Sequence, residues 1–290
     1  MVDSSSLIYR AFYSTSEMRS PDGTPINAAH GFLNMLARLV TDRHPTYMAC
    51  ATDRNWRPQW RVDLIESYKT HRVGTPESTI VDDQMPIIFE ILGRLGVAVV
   101  GVDDQEAEDV IGALVTMSRG RVEIVSGDRD LFQLVRDPDV VVLYPKRGVS
   151  ELLVVDEAYI ETKYGIPGKK YGDFALLRGD PSDGLPGVVG IGEKTASSLI
   201  SKYGSIEGVI GAALVDTTSS ALLKVRRALD YLDRAANVVL ISGDLAVGDV
   251  DMTLPREIDE AALESARGYG LEGALRRLVR ALTGERSPEG

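Results

Sequence analysis

The 290-residue sequence is poor in cross-linking and metal-binding side chains, with one cysteine, Cys50, and three histidines. A single cysteine excludes an internal disulfide, and the lack of paired cysteines argues against a zinc site. No apolar run approaches the length of a bilayer span, and no basic-then-apolar leader opens the chain. With 44% hydrophobic and 26% charged residues, the composition is that of a soluble globular protein. We expect a cytoplasmic protein without membrane contact.

Positive charge is also scarce, with 32 Lys and Arg against 43 Asp and Glu and a net charge of -11. Such an excess of acid would ordinarily argue against a nucleic-acid partner, because phosphate binding needs a basic surface. The distribution of charge changes this expectation, since the segment 54–72 is basic against only Asp63 and Glu66. Its basic residues are Arg54, Arg57, Arg61, Lys69 and Arg72. Charge segregated in this way is typical of a surface that handles phosphates.

Acidic residues follow the ends of several predicted strands. Apolar runs at 46–52, 96–102 and 122–126 each lead to aspartates, and further strands at 140–144 and 152–155 alternate with helical patterns. This alternation predicts an α/β fold with a mostly parallel central sheet flanked by helices. The acids then meet at the carboxyl edge of the sheet, where their repulsion requires cations. Acids at a helix start are the simpler explanation for one cluster, but two clusters favour a metal site.

A second motif, Gly190-Ile-Gly192-Glu-Lys194-Thr195, lies in a C-terminal region of helices joined by glycine-rich turns. It fits neither the P-loop nor the dinucleotide fingerprint, because the required lysine and third glycine are not at the required positions. The motif predicts a tight glycine hairpin at a helix N-terminus, which can hold a phosphate without reading a base. A plain structural turn explains the motif by itself equally well.

The segments beside these motifs are also predicted to be helical. Residues 57–70 are predicted as a polar helix, with a mobile loop at 73–77 after it. Lys69 and Arg72, three residues apart, are expected to share one helix face. Further apolar helical patterns occur near 220–240 and 260–282, and the tail from Arg286 to Gly290 is expected to fray.

Taken together, the motifs resemble the bacterial 5′ nuclease family, in the stand-alone form similar to the 5′ nuclease domain of DNA polymerase I. The resemblance runs from residue 3 to about 240, through seven motifs in family order. They are Asp3 with Leu-Ile-Tyr-Arg-Ala-Phe-Tyr, Asp53, Trp60-Arg61, Tyr68-Lys69 with Arg72, Glu106-Ala-Glu-Asp109, Gly127-Asp-Arg-Asp130, and Gly179-Asp-Pro-Ser-Asp183 leading to the glycine hairpin.

The resemblance implies two parts. An α/β nuclease core at 1–163 carries a helical arch at about 54–80, and a helical part at 164–290 carries a helix-three-turn-helix at about 174–210 that binds duplex DNA. The implied activity is metal-dependent hydrolysis of DNA at 5′ ends, nicks and flaps, as a 5′-3′ exonuclease and flap endonuclease in replication and repair. We expect the protein to be a monomer.

The resemblance also implies roles for individual residues, around two or more Mg²⁺ or Mn²⁺ ions roughly 4 Å apart. The acids expected around the first metal are Asp3, Asp53, Glu106, Glu108 and Asp109. Those around the second are Asp128, Asp130, Asp180 and Asp183. The expected catalytic cations are Lys69, Arg72 and Arg61. The expected DNA-binding residues are Arg54, Arg57, Gly190, Gly192, Lys194 and Thr195, with a monovalent cation such as K⁺ at the hairpin.

Three positions depart from the family pattern. Glu108 stands where the family usually has Asp, Gly184 where Asn is common, and Ser4 where Gly is common.

Two other functions stay open: a catalytically weak DNA-binding module, and a ribonuclease of similar architecture that acts on RNA. The nine acids argue against the first, because phosphate binding alone gains nothing from converging carboxylates.

Overall fold

The computed structural model describes residues 1–255, 257–258 and 268–284, and its centre is a six-stranded sheet. The strands are β1 (Val2–Asp3), β2 (Ala49–Ala51), β3 (Ala98–Val100), β4 (Val122–Val125), β5 (Val140–Pro145) and β6 (Leu152–Val155). Their spatial order is β3-β2-β1-β4-β5-β6, and all neighbours are parallel except β5 with β6. The predicted α/β class with a mostly parallel sheet is confirmed.

Helices connect the strands and form the C-terminal part of the described chain. They are α1 (Ser4–Ser14), α2 (Asn27–Arg43), α3 (Gln59–Leu64), α4 (Pro76–Asp82), α5 (Met85–Arg94), α6 (Ala107–Met117), α7 (Glu157–Tyr164), α8 (Tyr171–Arg178), α9 (Glu193–Tyr203), α10 (Ile206–Val215), α11 (Ser220–Arg227), α12 (Leu229–Val239) and α13 (Glu272–Thr283). Short 3-10 turns lie at Thr70–Arg72, Asp130–Leu134, Gly168–Lys170 and Pro181–Asp183.

The sheet is buried on both faces, which explains why its strands are short apolar runs. Successive residues of β2 point to opposite sides. Ala49 and Ala51 pack into the hydrophobic cluster that contains α6 and the C-terminal helices, while Cys50 packs into the cluster with α1, α2 and α5. Helices cover both faces of the sheet, so a ligand would bind at the ends of its strands.

Helix α13 returns to the N-terminal half of the chain and packs on α2. Its buried residues include Leu275 and Leu278, which belong to the same hydrophobic cluster as α2. Arg277 Nε donates to Asn34 Oδ1 at 2.7 Å on the outer side of this contact. Packing of this kind ties the C-terminal end of the described chain to the face of the sheet opposite α6.

The segment 57–70 is not the continuous helix that the sequence predicts. Helix α3 ends at Leu64, and Lys69 adopts a left-handed conformation with φ 47° before the 3-10 turn Thr70–Arg72. The expectation that Lys69 and Arg72 share one helix face is therefore wrong. The backbone turns here because the Lys69 amide donates to the carbonyl of Asp183 at 2.9 Å, a contact with a distant part of the chain.

Other predicted elements agree or differ in extent. The loop predicted at 73–77 is shorter, because Thr75 caps α4 and Pro76 begins it. Of the helix predicted at 260–282, residues 272–282 belong to α13, while 260–267 and the predicted frayed tail lie outside the described residues. In the described ranges no single helix is long and apolar enough to cross a membrane, although α10 and α11, bent by 104°, would pass that test as a pair.

Candidate active site

Three aspartates follow the carboxyl ends of three adjacent parallel strands. Asp3 ends β1, Asp53 follows β2 after one residue, and Asp128 follows β4. Because β2, β1 and β4 are neighbours in the sheet, these side chains share one edge. Asp3 is 6% exposed and is fixed by two donors, the Ser6 amide at 3.0 Å and the Ser126 hydroxyl. The predicted convergence of strand-end acids is present.

Three further acids lie at the N-terminus of α6, beside Asp53. Glu106 and Asp109 form a reciprocal capping box, in which each side chain accepts from the backbone of the other residue. Asp53 Oδ1 accepts from the Ala107 amide at 2.7 Å, so it also binds the free end of this helix. The helix dipole and unpaired amides stabilise negative charge here. This arrangement explains locally why acids are present, but not why so many of them are buried.

Arg61 is the counterion of the α6 acids. It is 1% exposed and reaches them from α3. One guanidinium nitrogen lies 2.7 Å from Glu106 and 2.9 Å from Glu108, and the other donates to both oxygens of Asp109 at 2.9 Å. The Trp60 ring covers the guanidinium, with 5.0 Å from Cζ to the ring centroid. Arg61 therefore contacts protein carboxylates and aromatic rings in a closed environment.

Tyr68 and Lys69 approach Glu106 from the turn that follows α3. The Tyr68 hydroxyl donates to Glu106 Oε1 at 2.7 Å, and the Lys69 ammonium donates to the other oxygen. Lys69 is 6% exposed, and its Nζ also lies 3.8 Å from an oxygen of Asp183. Lys69 is thus the cation that lies between the α6 acids and the second group of acids.

The second group of acids lies on two glycine-bounded turns. The Asp130 amide donates to Asp128 Oδ1 at 2.8 Å in the turn after β4. In the 3-10 turn Pro181–Asp183, Asp180 Oδ1 accepts from the Ser182 amide at 2.8 Å, and Arg72 binds Asp183. Arg72 and Lys69 therefore meet at Asp183, although they do not share a helix.

Gly184, where the resemblance led us to expect Asn, closes this second turn. Its φ is 71°, and an added Cβ would lie 2.1 Å from the carbonyl oxygen of Ser67. The Ser67 hydroxyl also donates to the Gly184 carbonyl at 2.6 Å. The departure is explained because the turn carrying Lys69 packs directly on this glycine. Glu108, which also departs from the family pattern, forms a salt bridge with Arg61 at 2.9 Å.

The carboxylates influence one another across both groups. The pKa of Asp3 is raised to about 7, mainly by burial and then by Asp53 and Asp128, against two hydrogen bonds that lower it. The pKa of Asp128 is raised to about 6, mainly by burial and then by the carboxylate of Asp183. Burial, followed by Asp128 and Asp183, raises the pKa of Asp130 well above 3.8. The two predicted groups thus form one electrostatically connected cluster.

This cluster, defined by the nine acids named above, fits divalent cations in its chemistry. Its oxygens are hard ligands, and burial together with the neighbouring carboxylates raises the pKa values of Asp3, Asp128 and Asp130. Asp130 Oδ1 is buried without a hydrogen-bond partner. Yet in the part of the chain that the structure describes, no three acidic, histidine or cysteine side chains are arranged as a ready metal cage. The oxygens of Asp109 instead bind Arg61.

Sequence reasoning missed Ser126, whose hydroxyl contacts Asp3 and also receives the Asp128 amide at 2.9 Å. This serine links two strand-end acids. Its position between β4 and Gly127 is the sequence feature that could have indicated this role.

Arg57, predicted to bind DNA, donates to the Tyr68 carbonyl at 2.7 Å and to the Thr70 hydroxyl at 3.0 Å. It holds the Lys69 turn in place, whereas Arg54 is exposed.

The glycine hairpin lies at the start of α9. Gly192 is the N-cap, and an added Cβ there would meet nothing within 4 Å, so the backbone is open to a ligand. Lys194 is exposed and Thr195 half-buried in the first turn. The Gly190 carbonyl accepts from Lys224 of α11 at 2.9 Å. The hairpin therefore offers free backbone amides with two lysines beside them.

Two family models cover nearly all of the described chain. One, described as 5′-3′ exonuclease, N-terminal resolvase-like domain, matches residues 1–165, and the other, 5′-3′ exonuclease, C-terminal SAM fold, matches residues 166–267. The chain belongs to the 5′-3′ exonuclease family. This membership confirms the resemblance drawn from the motifs, the predicted nuclease class, and the helical C-terminal part with its helix-three-turn-helix.

Curated relatives of similar length carry the same family name. A 5′-3′ exonuclease of Streptomyces coelicolor is 46% identical over 301 residues, which is 98% of this chain and 99% of that protein. A 5′-3′ exonuclease of Mycobacterium tuberculosis is 39% identical, covering 97% and 96%. DNA polymerase I of Mycobacterium bovis is 42% identical over 79% of this chain but only 25% of the polymerase. The chain therefore matches stand-alone 5′-3′ exonucleases over nearly their whole length, and DNA polymerase I over about a quarter of its length.

Solved structures of exonuclease and flap endonuclease relatives have the same fold. Bacteriophage T5 flap endonuclease, in a pseudo-enzyme-product complex with DNA and metal ions, gives a TM-score of 0.68 at 15% identity and covers 97% of each chain. The catalytic core of Rad2 in complex with DNA substrate gives 0.56 at 15% identity, over 97% of this chain and 90% of that one. At 15% sequence identity, these similarities show a shared fold.

Proposed function

We propose that this 5′-3′ exonuclease family member is a divalent-cation-dependent nuclease that hydrolyses DNA phosphodiesters at free 5′ ends, nicks and flaps. The observation that carries the proposal is the connected cluster of acids at the open edge of the sheet, with raised pKa values at Asp3, Asp128 and Asp130. A purely structural cluster would gain nothing from this unbalanced charge, which lowers stability unless cations arrive. Family membership and the DNA-bound relatives support the same activity.

The acids without an internal counterion are the proposed cation ligands. Asp3, Asp53, Asp128 and Asp130 form no salt bridge within the described residues, and carboxylate oxygens suit Mg²⁺ or Mn²⁺. When bound, these cations supply positive charge to the scissile phosphate and favour ionisation of the attacking water. Asp180 and Asp183, on the facing turn, are further proposed ligands, although Asp180 pairs with Arg178 and Asp183 with Lys69 and Arg72.

The chain's own cations take different roles in this proposal. Lys69 lies between the two groups of acids, so its ammonium can face a phosphate held there and stabilise the charge that develops during cleavage. Arg72, whose side chain is 42% exposed, adds positive charge beside the buried Asp183. Arg61 is 1% exposed and pairs with Glu106, Glu108 and Asp109, so we assign it the role of a positioning residue that holds these acids in place.

DNA binding is assigned to the exposed hairpin and the basic rim. The amides at the start of α9, with Lys194 and Thr195, would bind the duplex backbone away from the cleavage centre. Arg54 would bind the strand near the acids. We propose that the division at about residues 163–164, the arch at 54–80 and the monomeric state apply to this chain. The cytoplasmic location stays a prediction.

A panel of end-labelled substrates tests the proposed function. Flap, nicked, blunt and single-stranded DNA, and an RNA copy of the flap strand, are incubated with the protein in Mg²⁺, Mn²⁺ or EDTA. We expect cleavage at the flap junction and at 5′ ends in either metal and none in EDTA. Preferred cleavage of the RNA strand would favour the ribonuclease alternative, and binding without cleavage in any metal would favour the DNA-binding module.

A further inference from the structure

Lys224 forms a contact that the family resemblance did not lead us to expect. Its ammonium donates to the carbonyl oxygen of Gly190 at 2.9 Å, from a helix that lies 34 residues further along the chain. Gly190 has φ 77°, and a Cβ added there would lie 2.9 Å from Lys224 Nζ. The left-handed backbone conformation favours glycine at this position, and the end of the Lys224 side chain lies directly against it.

The helix that carries Lys224 is held firmly against the C-terminal part. The Ser219 side chain caps α11, and Leu222 and Val225 are fully buried. Arg226 donates to the carbonyls of Ala213 and Asp216, both at 2.7 Å, which fixes the last turn of the helix. The helix that carries Lys224 is therefore anchored beside the hairpin, while the side chain itself is half-buried.

A carbonyl oxygen at a phosphate-binding hairpin creates an electrostatic problem. Its partial negative charge repels a DNA phosphate that approaches the neighbouring amides, unless a cation lies beside it. The resemblance implies a monovalent ion such as K⁺ at the hairpin, and such an ion could take this place. In this chain the Lys224 ammonium already donates a hydrogen bond to the Gly190 carbonyl, which leaves two further N–H donors for a phosphate.

We propose that Lys224 supplies, as part of the protein, the positive charge that the Gly190 carbonyl would otherwise take from a monovalent cation. DNA binding by the hairpin then does not depend on K⁺. This inference rests on the proposed DNA-binding function, because it concerns how the hairpin accepts a phosphate. It identifies Lys224 as a DNA-binding residue outside the helix-three-turn-helix segment.

The test compares DNA affinity in KCl and in LiCl at equal concentration, in EDTA to prevent cleavage. The matched variants are Lys224→Met, which keeps most of the aliphatic stem, and Arg227→Met, which removes an exposed charge from the same helix. Wild-type protein should bind a flap duplex equally in the two salts. Lys224→Met should weaken binding in LiCl by on the order of tenfold, the scale of one lost charge-assisted hydrogen bond, and Arg227→Met much less.

A second variant keeps the test valid if Lys224→Met disturbs the fold. Lys224→Arg keeps a positive charge beside the Gly190 carbonyl, so it should bind the duplex in LiCl much more tightly than Lys224→Met. Stronger wild-type binding in KCl than in LiCl, or equal losses for Lys224→Met and Arg227→Met, would overturn the inference. Absence of wild-type binding in both salts would instead refute the proposed function.

Discussion

Replacing Arg61 by alanine removes the buried counterion of the α6 acids. The guanidinium is 1% exposed, so the carboxylates that it neutralises cannot turn to water. Lys69 still pairs with Glu106 in this variant, so Glu108 and Asp109 are the carboxylates that are left without a counterion. Removing one partner of a buried ion pair costs about 3–5 kcal/mol, because the remaining charge is left without compensation.

The pH dependence of this loss has a definite sign. Burial raises the pKa of Glu108 and Asp109 even in the intact protein, and Arg61 opposes that rise. Without Arg61 their folded-state pKa rises further, so the carboxylates destabilise the fold more as the pH increases. The variant should lose most stability near about pH 8 and recover part of it near about pH 5, where the acids accept protons. Added Mg²⁺ should also restore part of it.

Urea unfolding in EDTA measures the effect. For a slope of about 2–3 kcal/mol per molar, a loss of about 4 kcal/mol lowers the midpoint by roughly 1–2 M. Arg94→Ala is the control, because Arg94 forms a surface pair with Glu90 at 2.8 Å and is half exposed; that pair is worth about 0–1 kcal/mol. If Arg61→Ala unfolded at the same midpoint as Arg94→Ala, the positioning role would be refuted.

Lys69→Ala should slow single-turnover cleavage of a flap substrate at saturating protein by on the order of a hundredfold, with little change in DNA affinity. If the variant cleaved at the wild-type rate when the substrate is fully bound, Lys69 would only attract DNA through its charge and would have no catalytic role. Cys50 is fully buried and its pKa is raised to about 12 by burial, so iodoacetamide should modify it only after unfolding; rapid alkylation of the native protein would contradict this packing. The folded-state pKa values of Asp3 and Asp128 are raised from 3.8 to about 7 and about 6, so their contribution to stability is present below about pH 3.8 and lost as the pH rises through these values. The metal-free protein should therefore have a lower melting temperature at about pH 8 than at about pH 5, and Mg²⁺ should raise the melting temperature more at about pH 8. An equal rise in melting temperature at both pH values would count against cation binding at the acids.

The sheet and the position of its acids could be predicted because both depend on local sequence. Apolar runs that end in aspartate specify buried parallel strands, and the carboxyl ends of such strands meet at one edge. Asp53 and Asp128 are therefore placed by patterns that are visible within a few residues of each.

The segment with Lys69 could not be predicted, since contacts with distant residues set its backbone. The Lys69 amide bonds to Asp183 and the Ser67 hydroxyl bonds to Gly184, each across more than a hundred residues. The polar helical pattern at 57–70 is real, but these contacts override it after Leu64. For the same reason, the sequence contained no signal that Lys224 lies beside the hairpin.

Cleavage of an end-labelled flap duplex by wild type and Asp128→Ala, each in Mg²⁺ and in excess chelator, tests the central claim most directly. Asp128 ends a strand inside the acid cluster and provides no basic contact to DNA. The variant should lose nearly all cleavage while its affinity for the duplex changes little, and wild type should be inactive in chelator. Full cleavage by Asp128→Ala, or by wild type in chelator, would contradict a cation-dependent reaction at this cluster.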